Sequence, residues 1–129
     1  MTQPVWVLRD VVFAAHDLSL AQFGGGAGIR DVAMLDSALG KPINLIAYGK
    51  PSLFDLAASY AFGIIKNHPF VDGNKRTGFV VAVVFLEING ITFRASEVSA
   101  ALQTMALAAG EISESAYSDW LASNSVLSR

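Results

Sequence analysis

The chain has 129 residues, a formal charge of -2 and no cysteine. The length suits one domain, residues 1–129, able to bury its own core. The missing thiols exclude a disulfide framework, a thiolate metal site and a cysteine nucleophile. Hydrophobic residues make up 53% and charged residues only 16%, against about 45–50% and about 25% in ordinary domains, which excludes disorder. The slight acidity leaves no basic field for a nucleic-acid backbone, so no nucleic-acid partner is expected. The N-terminus has no signal-peptide pattern. The most apolar run lies between Arg76 and Glu87 and spans too few positions for a membrane helix, which needs about 18. No membrane partner is therefore expected, and the reading is a soluble, cytoplasmic protein.

Leu8, Val11, Val12, Ala15, Leu18 and Gln22 recur at helical spacing and predict a first amphipathic helix, with Arg9, His16 and Asp17 off its apolar stripe. It stops at Gly24-Gly25-Gly26, followed by Gly28, read as a flexible loop or hinge. Asp31 offers an N-cap for a short helix carrying Leu35, Ala38 and Leu39, with Gly40 and Pro42 as its stop. Residues 41–51, bounded by prolines, read as a loop or flap. Ser52 or Asp55 caps the next helix, which runs to about Lys66 because Pro69 disfavours helix in the residue before it.

After a loop at 68–73, Asn74 or a neighbour caps a segment over about 75–89. A β-hairpin of 79–88 with 91–94 competes, since Val80, Val81, Val83 and Val84 favour strand and Asn89-Gly90 suits a tight turn. Against it, the apolar run shows no alternation. Asn-Gly also ends helices, and a helix apolar on every side is a buried one. Ser96 then caps a helix to about Ala109, closed by Gly110, and Ser113 caps a last helix bearing Tyr117, Trp120 and Leu121.

The chemistry-bearing stretch is 68–77, His-Pro-Phe-Val-Asp-Gly-Asn-Lys-Arg-Thr. A plain join between helices accounts for it, with Asp72-Gly73 as the turn, Asn74 as the cap and the cations in water. Three features suggest more. Lys75 and Arg76 at a helix start oppose the helix dipole unless an anion sits there. The N–H groups of Gly73, Asn74 and Lys75 would form a phosphate cradle. His68 stands just upstream, able to take a proton from a hydroxyl. Asp72 is a hard oxygen ligand suited to Mg²⁺ bridging phosphates, and Lys75 and Arg76 would neutralise charge in phosphoryl or nucleotidyl transfer. The spacing of a Walker A loop occurs nowhere in the chain.

His68 to Arg76 resembles the signature of the Fic family. The stretches Gly28-Ile29-Arg30-Asp31, Leu35-Asp36-Ser37-Ala38-Leu39 and Gly110-Glu111-Ile112-Ser113 resemble its death-on-curing branch, so the likeness covers about 8 to 123. The resemblance implies an all-α, Fic-type helical bundle with a central buried helix following the motif loop. It implies His68 as the catalytic histidine, Asp72 as the metal-binding acid, Gly73, Asn74 and Arg76 as the anion-binding loop beside Lys75, and Phe70 as the anchor packing that loop into the core. The family's flap would fall at about 41–51. His16 beside Asp17 reads as structural or flap-supporting.

Lys75 stands where AMP-transferring members of the family usually carry glycine, and the death-on-curing branch shares the lysine. The resemblance therefore implies transfer of phosphate from ATP, with Mg²⁺, to a hydroxyl of a translation factor, elongation factor Tu, blocking translation. Pro69 and Gly73 lie closer to the general Fic pattern, which keeps AMP transfer as the alternative, beside a catalytically silent binding module. The chain carries no [ST]xxxE[GN] segment of the kind that silences many Fic proteins. Restraint by an antitoxin protein is thus expected, with the first helix and residues 41–51 as candidate contact surfaces.

Overall fold

A computed structural model describes residues 3–128. Among them the chain forms six helices and one two-stranded sheet: α1 (Arg9–Phe23), α2 (Val32–Tyr48), α3 (Leu53–Asn67), α4 (Asn74–Ile88), β1 (Ile91–Phe93), α5 (Glu97–Ala109), α6 (Glu114–Ser123) and β2 (Ser125–Leu127). The fold is all-α, as the sequence predicts. None of the helices is long and apolar enough to cross a membrane.

Four of the six helices start on predicted side-chain caps. Asp31, Ser52, Ser96 and Ser113 accept hydrogen bonds from the N–H of Met34, Asp55, Ser99 and Ala116. Ser52 and Asp55 are both used: each side chain bonds the other's backbone N–H, closing a capping box. The helices without a side-chain cap are α1 and α4.

The core is built on α3, whose Leu56 to Ala61 and Gly63 to Ile65 are all buried. It packs between α2, α4 and α6. Small residues set the spacing. A Cβ on Gly63 would lie 3.2 Å from the Ala38 backbone of α2, and one on Gly78 of α4 would lie 3.0 Å from the Ala61 carbonyl oxygen. The two helices flanking the motif loop thus touch almost backbone to backbone, which fixes the separation the loop must bridge. The predicted buried helix is α4: Val81, Ala82, Phe85 and Leu86 are enclosed, and Val80, Val83 and Val84 are partly covered. The hairpin alternative falls. Residues 79–88 are helical, and Ile91–Phe93 pairs instead with the distant Ser125–Leu127, antiparallel, with Thr92 opposite Val126.

Three expectations need correction. Gly40 and Pro42 do not end α2, which continues to Tyr48, so most of the proposed 41–51 flap is helix. Leu35, Ala38 and Pro42 are buried and Leu45 and Ile46 pack on the core. That spacing is one unbroken helical stripe, and its burial outweighs the roughly 3 kcal/mol an interior proline costs. Second, α1 buries a face rotated from the predicted one. Val12, Ala15, His16 and Ser19 face inward, while Leu8 and Leu18 are 69% and 57% exposed. Small side chains let α1 come close to α4, and His16 is polar yet satisfied, which counting apolar positions misses. Third, the glycine-rich segment is no free hinge, because it pairs with the motif loop.

Candidate functional site

The site is made where α3 ends and α4 begins. His68 is the C-cap of α3, with φ 50° and ψ 54°, and is the one non-glycine residue with positive φ among those described. That left-handed conformation strains an L-residue. Arg30 holds it. Its Nε donates to the His68 carbonyl at 2.7 Å and its Nη2 to that of Asn67 at 2.9 Å. The guanidinium thereby covers the unpaired carbonyls at the negative end of α3. The His68 residue itself remains exposed.

The glycine segment and the motif loop run side by side. The N–H groups of Arg30 and Asp31 both donate to the Pro69 carbonyl, at 2.7 and 3.0 Å, and the Val71 N–H donates to Gly28 at 3.1 Å. Ile29 and Phe70 form an antiparallel bridge. Gly25 shows why the segment is glycine. Its φ is +119°, and a Cβ there would lie 2.8 Å from Asp72 Oδ2.

Phe70 is fully buried. It stacks on His16 with ring centroids 3.8 Å apart and planes 11° apart, and meets Phe13 edge-on. Of Asn74 and its neighbours, it is Gly73, at φ 80°, that caps α4, and Asn74 is the first helical residue. The Asn74 side chain turns back into the protein, accepting from the Phe70 N–H and donating to the Phe70 carbonyl, both at 3.0 Å. It is 4% exposed, so the side chain staples the loop and only its backbone can meet a ligand.

The rest of the predicted set lies at the surface. Asp72, Lys75 and Arg76 are exposed. The Asp72 Oδ1 accepts from the Gly73 N–H at 2.8 Å and Oδ2 from the Gly26 N–H at 3.4 Å. Of the three amides expected to form an anion cradle, one is therefore held by a carboxylate. The N–H groups of Asn74 and Lys75 have no acceptor among the described residues. Neither Lys75 nor Arg76 has a carboxylate partner there, since the described ion pairs are Arg9–Asp36 and Lys41–Glu114. The Arg76 guanidinium rests 3.5 Å from the centre of the exposed Phe23 ring, a cation–π contact from the last residue of α1.

The family description "Fic/DOC family" matches residues 6–86. The chain is 42% identical over 90 residues to a protein named Toxin Doc from Mycolicibacterium smegmatis, covering 67% of this chain and 66% of that one. It is 34% identical over 113 residues to a protein named Protein kinase doc from Escherichia phage P1, covering 87% of this chain and 89% of that one. This chain belongs to the Fic/DOC family.

As a Fic/DOC domain it has an open helix N-terminus beside an exposed imidazole, on a loop fixed at both ends. Among the described residues no group of three or more His, Asp or Glu could hold a metal ion unaided. Asp72 is a lone carboxylate, which suits Mg²⁺: that ion keeps several waters and binds through one or two carboxylates plus substrate phosphates. Two positioning groups escaped the sequence reading, Arg30 on the α3 carbonyls and Phe23 under Arg76; His16 reads from the sequence as structural or flap-supporting, but not as a contact of the motif loop. The available signal was for His16, a polar residue four positions after Val12 and three before Ser19, on a face otherwise made of small side chains.

Proposed function

We propose that this Fic/DOC protein is a toxin that transfers phosphate from ATP to a hydroxyl side chain of a translation factor, elongation factor Tu by the family resemblance. The observation that carries the nucleotide reading is the start of α4. Two free amides and two cations without carboxylate partners converge where the helix dipole is positive, and an anionic oxygen of Asp72 already occupies the third amide. A polyphosphate supplies the missing negative charge. The names of the two relatives, one a toxin and one a protein kinase, support the same reading.

The residues divide the work as follows. The Asn74 and Lys75 amides and the Lys75 and Arg76 side chains hold the phosphates and stabilise the charge that develops in transfer. Asp72 would bind Mg²⁺ together with the phosphates, and Mg²⁺ there supplies further charge neutralisation. His68 accepts the proton of the attacking hydroxyl. The hydroxyl oxygen bonds to the γ-phosphorus, the bond from that phosphorus to the β,γ-bridging oxygen breaks, and ADP leaves. Phe70 and Asn74 keep the loop from moving during this exchange. Lys75 favours phosphate over AMP transfer, because its side chain fills the space a glycine would leave for a nucleotide lying the other way.

An antitoxin protein is the proposed restraint. The exposed apolar side chains of Leu8 at the start of α1, Val11 and Leu18 on α1, and Val32, Met34 and Ile43 on α2 support a partner-binding surface there.

Labelled ATP tests the proposal. With purified elongation factor Tu and Mg²⁺, γ-label should move to protein and α-label should not. His68→Ala should lower the rate by about 10²- to 10⁴-fold, and Lys75→Gly should weaken γ-label transfer. Movement of α-label in the parent would replace the kinase reading by AMP transfer. Movement of neither label would leave a silent binding module.

A further inference from the structure

Nothing in the chemistry above uses His16, yet it is 4% exposed and makes two contacts with the motif loop. One is the ring stack on Phe70. The other is between Nε2 and the Asp72 carbonyl oxygen, 2.8 Å apart. A carbonyl only accepts, so Nε2 carries the proton and donates.

The second contact has a directional consequence. The Asp72 carbonyl and the Gly73 N–H belong to one peptide unit, which is planar and trans, so they point in opposite directions. Drawing the carbonyl toward α1 turns the N–H away from α1. That is where the Asp72 carboxylate now meets it. Gly73 cannot fix this orientation alone, because glycine at φ 80° has more freedom than any other residue. Nor does Asn74, whose side chain is tied to Phe70 and makes no bond to the 72–73 peptide.

We propose that His16 is a positioning residue: its Nε2–H holds the Asp72 carbonyl, fixes the 72–73 peptide with its N–H on the Asp72 carboxylate, and so sets the start of α4 whose Asn74 and Lys75 amides meet the nucleotide phosphate. This rests on the nucleotide reading of the loop. The stack on Phe70 locates the imidazole, and the hydrogen bond orients the peptide. The two can be separated by substitution. His16→Phe keeps an aromatic ring on Phe70 and loses the donor. His16→Gln carries an amide N–H at nearly the same reach and loses the ring.

The test measures ATP affinity by calorimetry with Mg²⁺, KM and kcat for label transfer, melting temperature, and the ¹⁵N–¹H resonance of Gly73. His16→Phe should melt within a few degrees of the parent, bind ATP about tenfold more weakly, and show the loss in KM with kcat changed far less. Its Gly73 resonance should move even without nucleotide. His16→Gln should melt lower yet bind within about threefold of the parent, which a purely structural role would not produce. The proposal is overturned alone if His16→Phe binds ATP as the parent does, or if His16→Gln loses as much affinity as His16→Phe. A parent that binds no ATP overturns the nucleotide reading and this proposal together.

Discussion

Helix α4 has an asparagine at each end, and the two side chains make the same kind of ring. Asn74, at the start, bonds both the N–H and the carbonyl of Phe70. Asn89, just past the end, bonds both the N–H and the carbonyl of Val5, at 2.7 and 2.9 Å, and donates as well to the Phe85 carbonyl. At the C-terminal end the amide also caps the helix, so the end is closed by the protein itself. At the N-terminal end the amide ties down the loop while the Asn74 and Lys75 N–H groups stay open. The difference separates structure from function. The same device finishes one end and leaves the other rigid but unsatisfied, which a binding site needs.

Burial should separate the two rings sharply. Asn74 and Phe70 are enclosed, so Asn74→Ala leaves the Phe70 N–H and carbonyl without partners and without easy access to water. The expected loss is about 2–4 kcal/mol of stability, read by urea unfolding, with the proposed nucleotide binding lost alongside it. A variant that unfolds like the parent would show that the ring does not hold the loop.

A second contrast sets an amide that does not ionise against a phenol that does. Far from the loop, the buried Tyr117 of α6 shares a 2.8 Å hydrogen bond with Thr104 of α5. Burial pushes its hydroxyl from the ordinary 10.0 up to about 12. Because the folded value is the higher one, the stability tied to the neutral phenol is whole below pH 10 and is lost as pH rises toward 12. The loss is about 2–3 kcal/mol. Alkaline unfolding followed by circular dichroism should show this fall, and Tyr117→Phe should flatten it after a loss of about 1 kcal/mol at neutral pH. Some slope should remain from Tyr60, which burial also raises. An unchanged alkaline profile in Tyr117→Phe would sink the assignment.

The sequence made the punctuation of this fold readable because caps are local chemistry. Ser52, Ser96 and Ser113 each act on an N–H three residues away, and no distant residue alters that. The motif was legible for the same reason: His68, Asp72 and the cations fall within nine positions. What escaped depends on contacts across the chain. Pro42 lies inside a helix because the stripe around it is buried, which no local stop signal reports. The inward face of α1 was misread because the partner of His16 is a carbonyl 56 residues away. Which of Asn74 and its neighbour caps α4 could not be read locally, because the Asn74 amide looks like a cap until Phe70 is seen to take both its atoms.

The smallest effect should come from the closed end. Asn89 and Val5 are more accessible than Asn74 and Phe70, with Val5 58% exposed, so water replaces much of what Asn89→Ala removes. The expected loss is about 1 kcal/mol, a fall of roughly 3–5 °C in Tm. Its structural consequence is local. The segment before α1 is held by this ring, by the Val7 N–H on the Tyr60 hydroxyl at 3.1 Å and by Trp6 stacked on Phe85. Hydrogen exchange at Val5 should therefore rise in Asn89→Ala while exchange at Phe70 stays as in the parent. If Phe70 exchange rises too, the two ends of α4 are coupled through the helix, and the division between a closed end and an open one fails.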